Sequence, residues 1–340
     1  MPLIPLTTLA MNDKYPHMIE ETEQNQQNMF PIVAQLGVLS FILFGIFGAW
    51  LFGAQSPELE TVPEQRNIIT DTSEYQLVPQ KLEREISLRA KSAYVWDVRG
   101  QRALYKKNAD QTLPLASITK LMTALLAYEL IPGDEPVQIS QAAILQEGSS
   151  GLAAGERLNI EELQRLSLVS SSNDAAYALG ASVGSLLGTN DPAAQFIAGM
   201  NIRAEELGLT TLHFKNTTGL DESTTEAGGV GSARDVSFLM EYIVVNYPEI
   251  ISPTQKNATR IYNAAGAYHD ADNTNEVASQ IPNMIGSKTG FTDLAGGNLT
   301  IAFDAGLNRP IIITVLGSTR DERFSDVLTL VEAVQETLSE

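Results

Sequence analysis

The chain has 340 residues, enough for one large domain or two of ordinary size, and its 44% hydrophobic and 19% charged residues are typical of a folded globular protein. Its 41 acidic and 22 basic residues give a net charge of −19, which disfavours nucleic acid as a partner because phosphate backbones would be repelled. Cysteine is absent, which excludes thiol catalysis, disulfides and cysteine-ligated zinc sites.

The first predicted element is a transmembrane helix over residues 30–54, because this stretch has no charged residue and is long enough to cross a bilayer with some tilt. A cleaved signal peptide is the main alternative, and a buried core helix is a weaker one. The leader is acidic and the apolar segment is longer than a signal peptide needs, so we favour an uncleaved anchor. Residues 1–29 are then a short tail and residues 55–85 a polar linker.

Residues 86–340 have the pattern of a single folded α+β domain. Strands are predicted at both ends of this region, so we expect the terminal segments to share one sheet. The predicted strands are SAYVWDV and RALYKKN around Arg99-Gly100, and GGNLTIAFDAG and RPIIITVLGS around the turn at Leu307-Asn308. The predicted helices are Ser117 to Leu130, IEELQRLSLV, DAAYALGASVGSLL and a last one from about Asp321 to Leu338.

Histidine offers little for catalysis. Beyond the anchor only His213 and His269 are present, and neither lies in a nucleophile or metal motif. We therefore interpret both as structural or surface residues, and we predict no metal site.

A serine and a lysine three residues apart begin the first predicted helix, as Ser117 and Lys120. Residues at this spacing share one helix face, so the two side chains can meet. Desolvation lowers the pKa of a lysine, which would allow Lys120 to act as a base toward Ser117. The pair has little weight alone, because Ser-x-x-Lys occurs by chance about once in a chain of this size.

Two further motifs accompany this pair. Ser171 and Asn173 fall in the break between two predicted helices, where they can face a cleft or simply cap the following helix. Lys288, Thr289 and Gly290 precede the strand-rich end, where a lysine and a hydroxyl on an edge strand can bind a carboxylate and glycine leaves room for a ligand backbone. A surface turn is the alternative for this tripeptide.

The order and contexts of the three motifs match the set found in penicillin-binding proteins and β-lactamases. From about Lys91 onward the chain resembles the low-molecular-mass penicillin-binding proteins, the serine D-Ala-D-Ala carboxypeptidases. Segments such as GERLNIEELQRLSLVSSSNDAAYALG and GSKTGFTDLAGGNLT extend the resemblance beyond the motifs. It implies a β-lactamase/transpeptidase-like fold, with an antiparallel sheet flanked by helices and a helical subdomain, behind one N-terminal transmembrane helix.

The resemblance also implies roles for the motif residues. Ser117 would attack the carbonyl of the penultimate D-Ala of a peptidoglycan stem peptide after Lys120 takes its proton. Ser171 would relay a proton to the departing D-Ala, and Asn173 would hold the substrate backbone. Lys288 and Thr289 would bind the terminal carboxylate, and the N–H groups of Ser117 and Phe291 would form the oxyanion site. β-Lactams would react with Ser117, and no cofactor is implied.

Two departures from the family pattern affect these expectations. Only about 50 residues follow Gly290, which predicts a catalytic domain without the further β-rich domain of many members. The segment AGGNL has a second glycine where a bulkier residue is usual, which leaves its local packing open.

Three alternative functions are compatible with parts of this sequence pattern. Cleavage of D-Ala to diamino-acid crosslinks by an endopeptidase is one, because such enzymes of the superfamily also lack the extra domain. A β-lactamase is less favoured, because no Glu-x-x-Leu-Asn segment follows the second motif and Glu156 precedes Ser171. A non-catalytic peptidoglycan-binding protein is disfavoured by the intact motifs. The substrate predicts a cytoplasmic tail and a catalytic domain outside the cytoplasmic membrane.

Overall fold

The computed structural model describes residue 82 and residues 85–148, 151–188 and 190–339. The predicted tail, the predicted membrane span and all of the predicted linker except Leu82 and Glu85 lie outside these described residues. Across the described part of the chain, no helix combines the length and hydropathy needed to cross a membrane.

An antiparallel five-stranded sheet is the centre of the fold. Its strands, numbered in chain order, lie in the spatial order β10 (Met284–Thr292), β11 (Gly296–Asp304), β12 (Pro310–Ser318), β1 (Ser92–Asp97) and β2 (Arg102–Lys107). The first strand pairs with the last, so the two ends of the folded region share one sheet. The turn predicted at Leu307-Asn308 connects β11 to β12, and these two residues have positive φ angles of 57° and 58°.

Both faces of the sheet are covered, which explains why β12 is an almost continuous apolar run. Alternate strand residues point to opposite faces. Val95, Ile301 and Ile313 pack on one face against the C-terminal helix α7 (Glu322–Ser339). Tyr94 and Ile312 belong to the core on the other face, which continues into the helical part of the molecule.

The remaining helices are α1 (Lys120–Leu130), α2 (Ile160–Val169), α3 (Asn173–Leu187), α4 (Pro192–Glu206), α5 (Ala233–Asn246) and α6 (Pro248–Ile251). Short 3-10 helices span Ala116–Thr119, Ala143–Leu145, Ser252–Gln255 and Ala278–Gln280. Helix α1 is buried from its first residue to Ala127, which identifies it as the central helix of this part of the core.

In the described domain, short strands between these helices form one three-stranded sheet and two two-stranded sheets. They are β3 (Leu113–Pro114), β4 (Pro136–Gln138), β5 (Arg157–Asn159), β6 (His213–Phe214), β7 (Gly229–Gly231), β8 (Ala258–Tyr262) and β9 (Tyr268–Asp272). Strands β8 and β9 form a separate antiparallel hairpin. The sequence did not predict this hairpin, nor helices α4 and α5.

Candidate active site

Ser117 lies in the 3-10 turn that leads directly into α1, and Lys120 is the first residue of α1. The predicted helix over 117–130 therefore begins with a tighter turn. The Nζ atom of Lys120 is 2.8 Å from Oγ of Ser117, so the predicted pair is in hydrogen-bond contact. Ala116 just before it has a φ of 49°, a left-handed backbone conformation that is strained for a residue other than glycine.

Lys120 is fully buried and is surrounded by three oxygen atoms. Besides the Ser117 hydroxyl, its Nζ donates to Oδ1 of Asn173 at 2.7 Å and to the carbonyl oxygen of Thr218 at 2.8 Å. Burial lowers the pKa of Lys120 to about 7. The amide and carbonyl oxygens can only accept, so in the neutral amine they take its two N–H groups. The lone pair then points at Ser117, which is the geometry of a base.

The residues where α2 meets α3 have two roles: one caps α3, and two face the cleft. Ser172 caps α3, because its side chain accepts a hydrogen bond from the Ala175 N–H at 3.0 Å. Ser172 is therefore the residue that caps the helix. Ser171 and Asn173 instead contact the two buried lysines of the cleft. Asn173 also donates from Nδ2 to the Glu147 carbonyl at 2.6 Å, which fixes its amide orientation.

Lys288 and Thr289 lie on β10, which is an edge strand of the sheet as predicted. The buried Nζ of Lys288 donates to Oγ of Ser171 at 2.9 Å and to the Thr289 carbonyl at 2.9 Å. Oγ1 of Thr289 is 2.6 Å from Oγ1 of Thr274. All three predicted motifs therefore meet in one cleft.

Burial is the largest cause that lowers the pKa of each of the two lysines, and Lys288 has further causes. For Lys288, burial comes first, followed by repulsion from Lys120 and from Arg323, and together they hold its pKa well below the ordinary range. For Lys120, burial is the cause. Repulsion between the two lysines therefore lowers the pKa of Lys288, whereas burial alone accounts for that of Lys120.

Gly290 allows β10 to approach the nucleophile turn. A Cβ atom at this position would lie 2.7 Å from the Leu115 carbonyl oxygen and 3.2 Å from the Ile118 nitrogen. The next residue, Phe291, is exposed, with the Arg320 guanidinium carbon 5.2 Å from its ring centre. The roles of the Ser117 and Phe291 N–H groups as an oxyanion site stay predictions.

Sequence reasoning missed Asn298, a fully buried residue on β11. Its Nδ2 donates to the carbonyl oxygens of Pro114 and Leu115 at 3.0 Å each, and its Oδ1 accepts from the Gly317 N–H at 2.8 Å. One amide therefore connects the sheet to the segment that leads into Ser117.

Arg323 at the start of α7 was also missed. Its Nη1 donates to the Gly290 carbonyl at 2.8 Å, and its buried Nε has no hydrogen-bond partner among the described residues. Burial lowers its pKa to about 10, so it stays charged at neutral pH. No periodicity or local motif marks this residue, because its partner is far away in the sequence.

The unusual glycine of AGGNL has a packing reason. A Cβ atom on Gly297 would lie 1.9 Å from the Thr319 carbonyl oxygen, so a side chain at this position would displace the backbone that leads into α7. Its neighbour Gly296 has a φ of 65°.

Glu156 and the two histidines do not join the site. Glu156 accepts hydrogen bonds from the Ala153 N–H, from Asn263 and from His269, so both of its oxygens are occupied away from Ser117. His213 is exposed on β6. Within the described ranges, no cluster of metal-ligating side chains is present.

Comparison with known proteins agrees with this geometry. The sequence profile of the D-alanyl-D-alanine carboxypeptidase family matches residues 79–320. The chain belongs to this family. The resemblance predicted from the motifs is thereby confirmed.

Named relatives include both carboxypeptidases and endopeptidases. D-alanyl-D-alanine carboxypeptidase DacF of Bacillus subtilis is 31% identical over 254 residues, which are 73% of this chain and 62% of that protein. A D-alanyl-D-alanine endopeptidase of Pseudomonas aeruginosa is 31% identical over 240 residues, covering 67% of this chain and 71% of that protein. The chain thus spans less than two thirds of the first relative.

Solved structures show the same fold. Penicillin-binding protein D2 of Listeria monocytogenes, in its ampicillin-bound form, superposes with a TM-score of 0.61 at 30% identity, over 74% of this chain and 99% of that one. A mutant of a Streptomyces DD-transpeptidase gives a TM-score of 0.67 at 25% identity, over 75% of this chain and all of the other. The predicted penicillin-binding, transpeptidase-like fold is confirmed for the described domain.

Proposed function

We propose that the protein is a serine peptidase that removes the C-terminal D-Ala from peptidoglycan stem pentapeptides through an acyl-enzyme on Ser117. The observation that carries the proposal is the contact of a buried lysine of lowered pKa with the Ser117 hydroxyl. Lys120 takes the hydroxyl proton as Oγ bonds to the carbonyl carbon of the penultimate D-Ala. The terminal D-Ala leaves as a neutral amine after receiving a proton through Ser171, and water then releases the shortened peptide.

The cationic end of the cleft supports recognition of a terminal carboxylate. Lys288 and Thr289 lie side by side on the edge strand, and the charged Arg323 binds the Gly290 carbonyl directly behind them. A carboxylate is the ligand that such donors bind best. A pentapeptide always presents a free carboxylate beside its scissile bond, whereas a crosslink does so only when the carboxyl group next to the linked amine is free, so we place carboxypeptidase activity ahead of endopeptidase activity.

Endopeptidase activity is a second candidate, supported by the Pseudomonas aeruginosa relative. Product analysis after incubation with pentapeptide and with crosslinked muropeptides separates the two. We expect free D-Ala from the pentapeptide, and crosslink cleavage without free D-Ala would reverse the order.

Covalent reaction with β-lactams follows from the same chemistry. We expect a labelled penicillin to modify the wild-type chain and not the Ser117→Ala variant. A label that persists in this variant would refute Ser117 as the nucleophile.

The proposal includes an external location at the cytoplasmic membrane, with residues 30–54 as the anchor. Its support is the uncharged length of this segment and the extracytoplasmic location of the substrate. Protease added to intact spheroplasts should digest the catalytic domain, and a protected domain would refute the topology.

A further inference from the structure

The hairpin formed by β8 and β9 presents an ordered aromatic surface that the catalytic chemistry does not use. Its inward residues, among them Ile261 and Ala271, are buried. Its outward face contains Tyr262 and Tyr268 as a cross-strand pair, each 52% exposed. Exposed tyrosine pairs on a strand hairpin are not needed for the core, so this face is available to a ligand.

The outward face is held rigid by its own contacts. The two tyrosine rings have centroids 6.1 Å apart, and the guanidinium carbon of Arg260 lies 3.9 Å from the Tyr268 ring centre. Asp270, opposite Arg260, accepts two hydrogen bonds from it at 2.8 and 3.2 Å. A surface that is fixed before binding loses little conformational entropy when a ligand arrives.

The hairpin is also fastened to the body of the domain. His269 on its inner side is 2.5 Å from Glu156, and Asn263 in its turn donates to the same carboxylate oxygen at 2.7 Å. At the other end, Asn273 donates to the Thr254 carbonyl at 2.7 Å. The next residue, Thr274, contacts Thr289 of the cleft, so the hairpin leads directly into the proposed carboxylate site.

Flat aromatic rings beside a paired arginine and aspartate suit a sugar. A pyranose ring has an apolar C–H face that packs on an aromatic ring, and its hydroxyl and N-acetyl groups exchange hydrogen bonds with guanidinium and carboxylate. An anionic lipid surface is disfavoured, because Asp270 neutralises Arg260 and the neighbouring Asp272 is exposed.

We propose that the outward face of this hairpin, made by Arg260, Tyr262, Tyr268 and Asp270, binds the N-acetylated glycan strand that carries the stem peptide. This inference rests on the proposed function for its choice of glycan. The hairpin lies near the cleft, because Tyr268 is only six residues before Thr274, which contacts Thr289 of the proposed carboxylate site. A glycan on the hairpin would therefore lie beside the segment that leads into the cleft.

The test measures glycan binding separately from peptide hydrolysis. Peptide-free glycan strands, prepared by stripping purified sacculi of their stems, are titrated against the full chain, and soluble pentapeptide hydrolysis is assayed in parallel. We expect a Tyr262→Ala/Tyr268→Ala double variant to bind the strands about tenfold more weakly or worse, because both stacking surfaces are lost. The corresponding double Phe variant should retain most binding.

Leu186→Ala is a matched control, because Leu186 is an apolar residue on α3 that is 63% exposed. Equal binding by the wild type, this control and the double Ala variant would overturn the inference. If the double Ala variant keeps its binding to glycan strands but loses binding to lipid vesicles, the face binds a membrane surface and the inference is overturned. Wild-type pentapeptide hydrolysis without glycan binding would refute only this inference, whereas glycan binding without hydrolysis would refute only the proposed activity.

Discussion

The cleft is made by two halves that each bury one lysine, yet the surroundings give the two lysines different chemistry. In the helical half, Nζ of Lys120 meets two oxygens that can only accept, together with the Ser117 hydroxyl. In the sheet half, Nζ of Lys288 meets the Ser171 hydroxyl and a carbonyl on an open edge strand. Residue type and burial are the same, so the partner atoms decide which lysine is a base and which is a receptor for a carboxylate.

The largest expected effect comes from removing the base. Lys120→Met should lower the acylation rate about 10³-fold or more, because no other described side chain within hydrogen-bond distance of Ser117 can take its proton. The melting temperature should also fall, since Asn173 Oδ1 and the Thr218 carbonyl lose their buried donor. Stopped-flow acylation by a chromogenic β-lactam and calorimetry measure the two quantities. Near-normal acylation would mean that the helical half does not supply the base.

Lys288→Met tests the sheet half and should have a smaller, substrate-dependent effect. We expect kcat/KM for a D-Ala-D-Ala peptide to fall about 100-fold, because its terminal carboxylate loses the amine whose charged form it would stabilise on binding. The same peptide with a C-terminal amide should lose much less. Steady-state kinetics on the matched acid and amide peptides provide the comparison. An equal loss on both would show that Lys288 acts on the reaction itself and not on the carboxylate.

The pH dependence of kcat/KM is a third way to distinguish the two lysines. Only neutral Lys120 is a base, and its pKa is about 7, so kcat/KM should fall about tenfold per unit as the pH drops below 7 and level off above it. This fall is the acid limb of the pH profile, and a lysine with an ordinary pKa would place the limb near pH 10.5. The Lys288→Met variant should keep the limb near 7. A limb that disappears in this variant would assign the titration to the sheet half.

Several parts of both halves could be predicted from the sequence because their signals are local. Apolar runs next to turn residues marked β1 and β12, and short motifs marked Ser117, Ser171 and Lys288. The helix cap that separates Ser171 from Ser172 needed the structure, since either serine fits a capping position. The catalytic and binding roles of these residues remain predictions that the experiments above address.

Other features depend on contacts between distant segments. Arg323 meets Gly290 across 33 positions, and Asn298 meets Leu115 across 183, so no window of sequence contains both partners. The hairpin β8–β9 was missed for a different reason: its outward residues are polar or aromatic, and only Ile261 and Ala271 are buried. Two buried positions are too few for a period-2 pattern to stand out.

Asn298 joins the two halves, and its removal should have the smallest effect on turnover with a defined cost in stability. Asn298→Ala leaves two buried carbonyls and the Gly317 N–H without this partner, which should destabilise the fold by about 2–4 kcal/mol. Because the segment before Ser117 is then held only by its other contacts, we expect kcat to fall about tenfold with KM nearly constant.

Asn201→Ala is the matched control for this variant. Asn201 also donates to two carbonyls, of Ile197 and Phe214, and accepts from the Phe214 N–H, but it lies on α4 and holds β6. It should lower the melting temperature similarly and leave acylation of Ser117 unchanged. Calorimetry and acylation kinetics on both variants decide the matter. If the acylation rate falls equally in both variants, the fall is a consequence of general destabilisation. Asn298 would then not set the distance between the nucleophile turn and the edge strand.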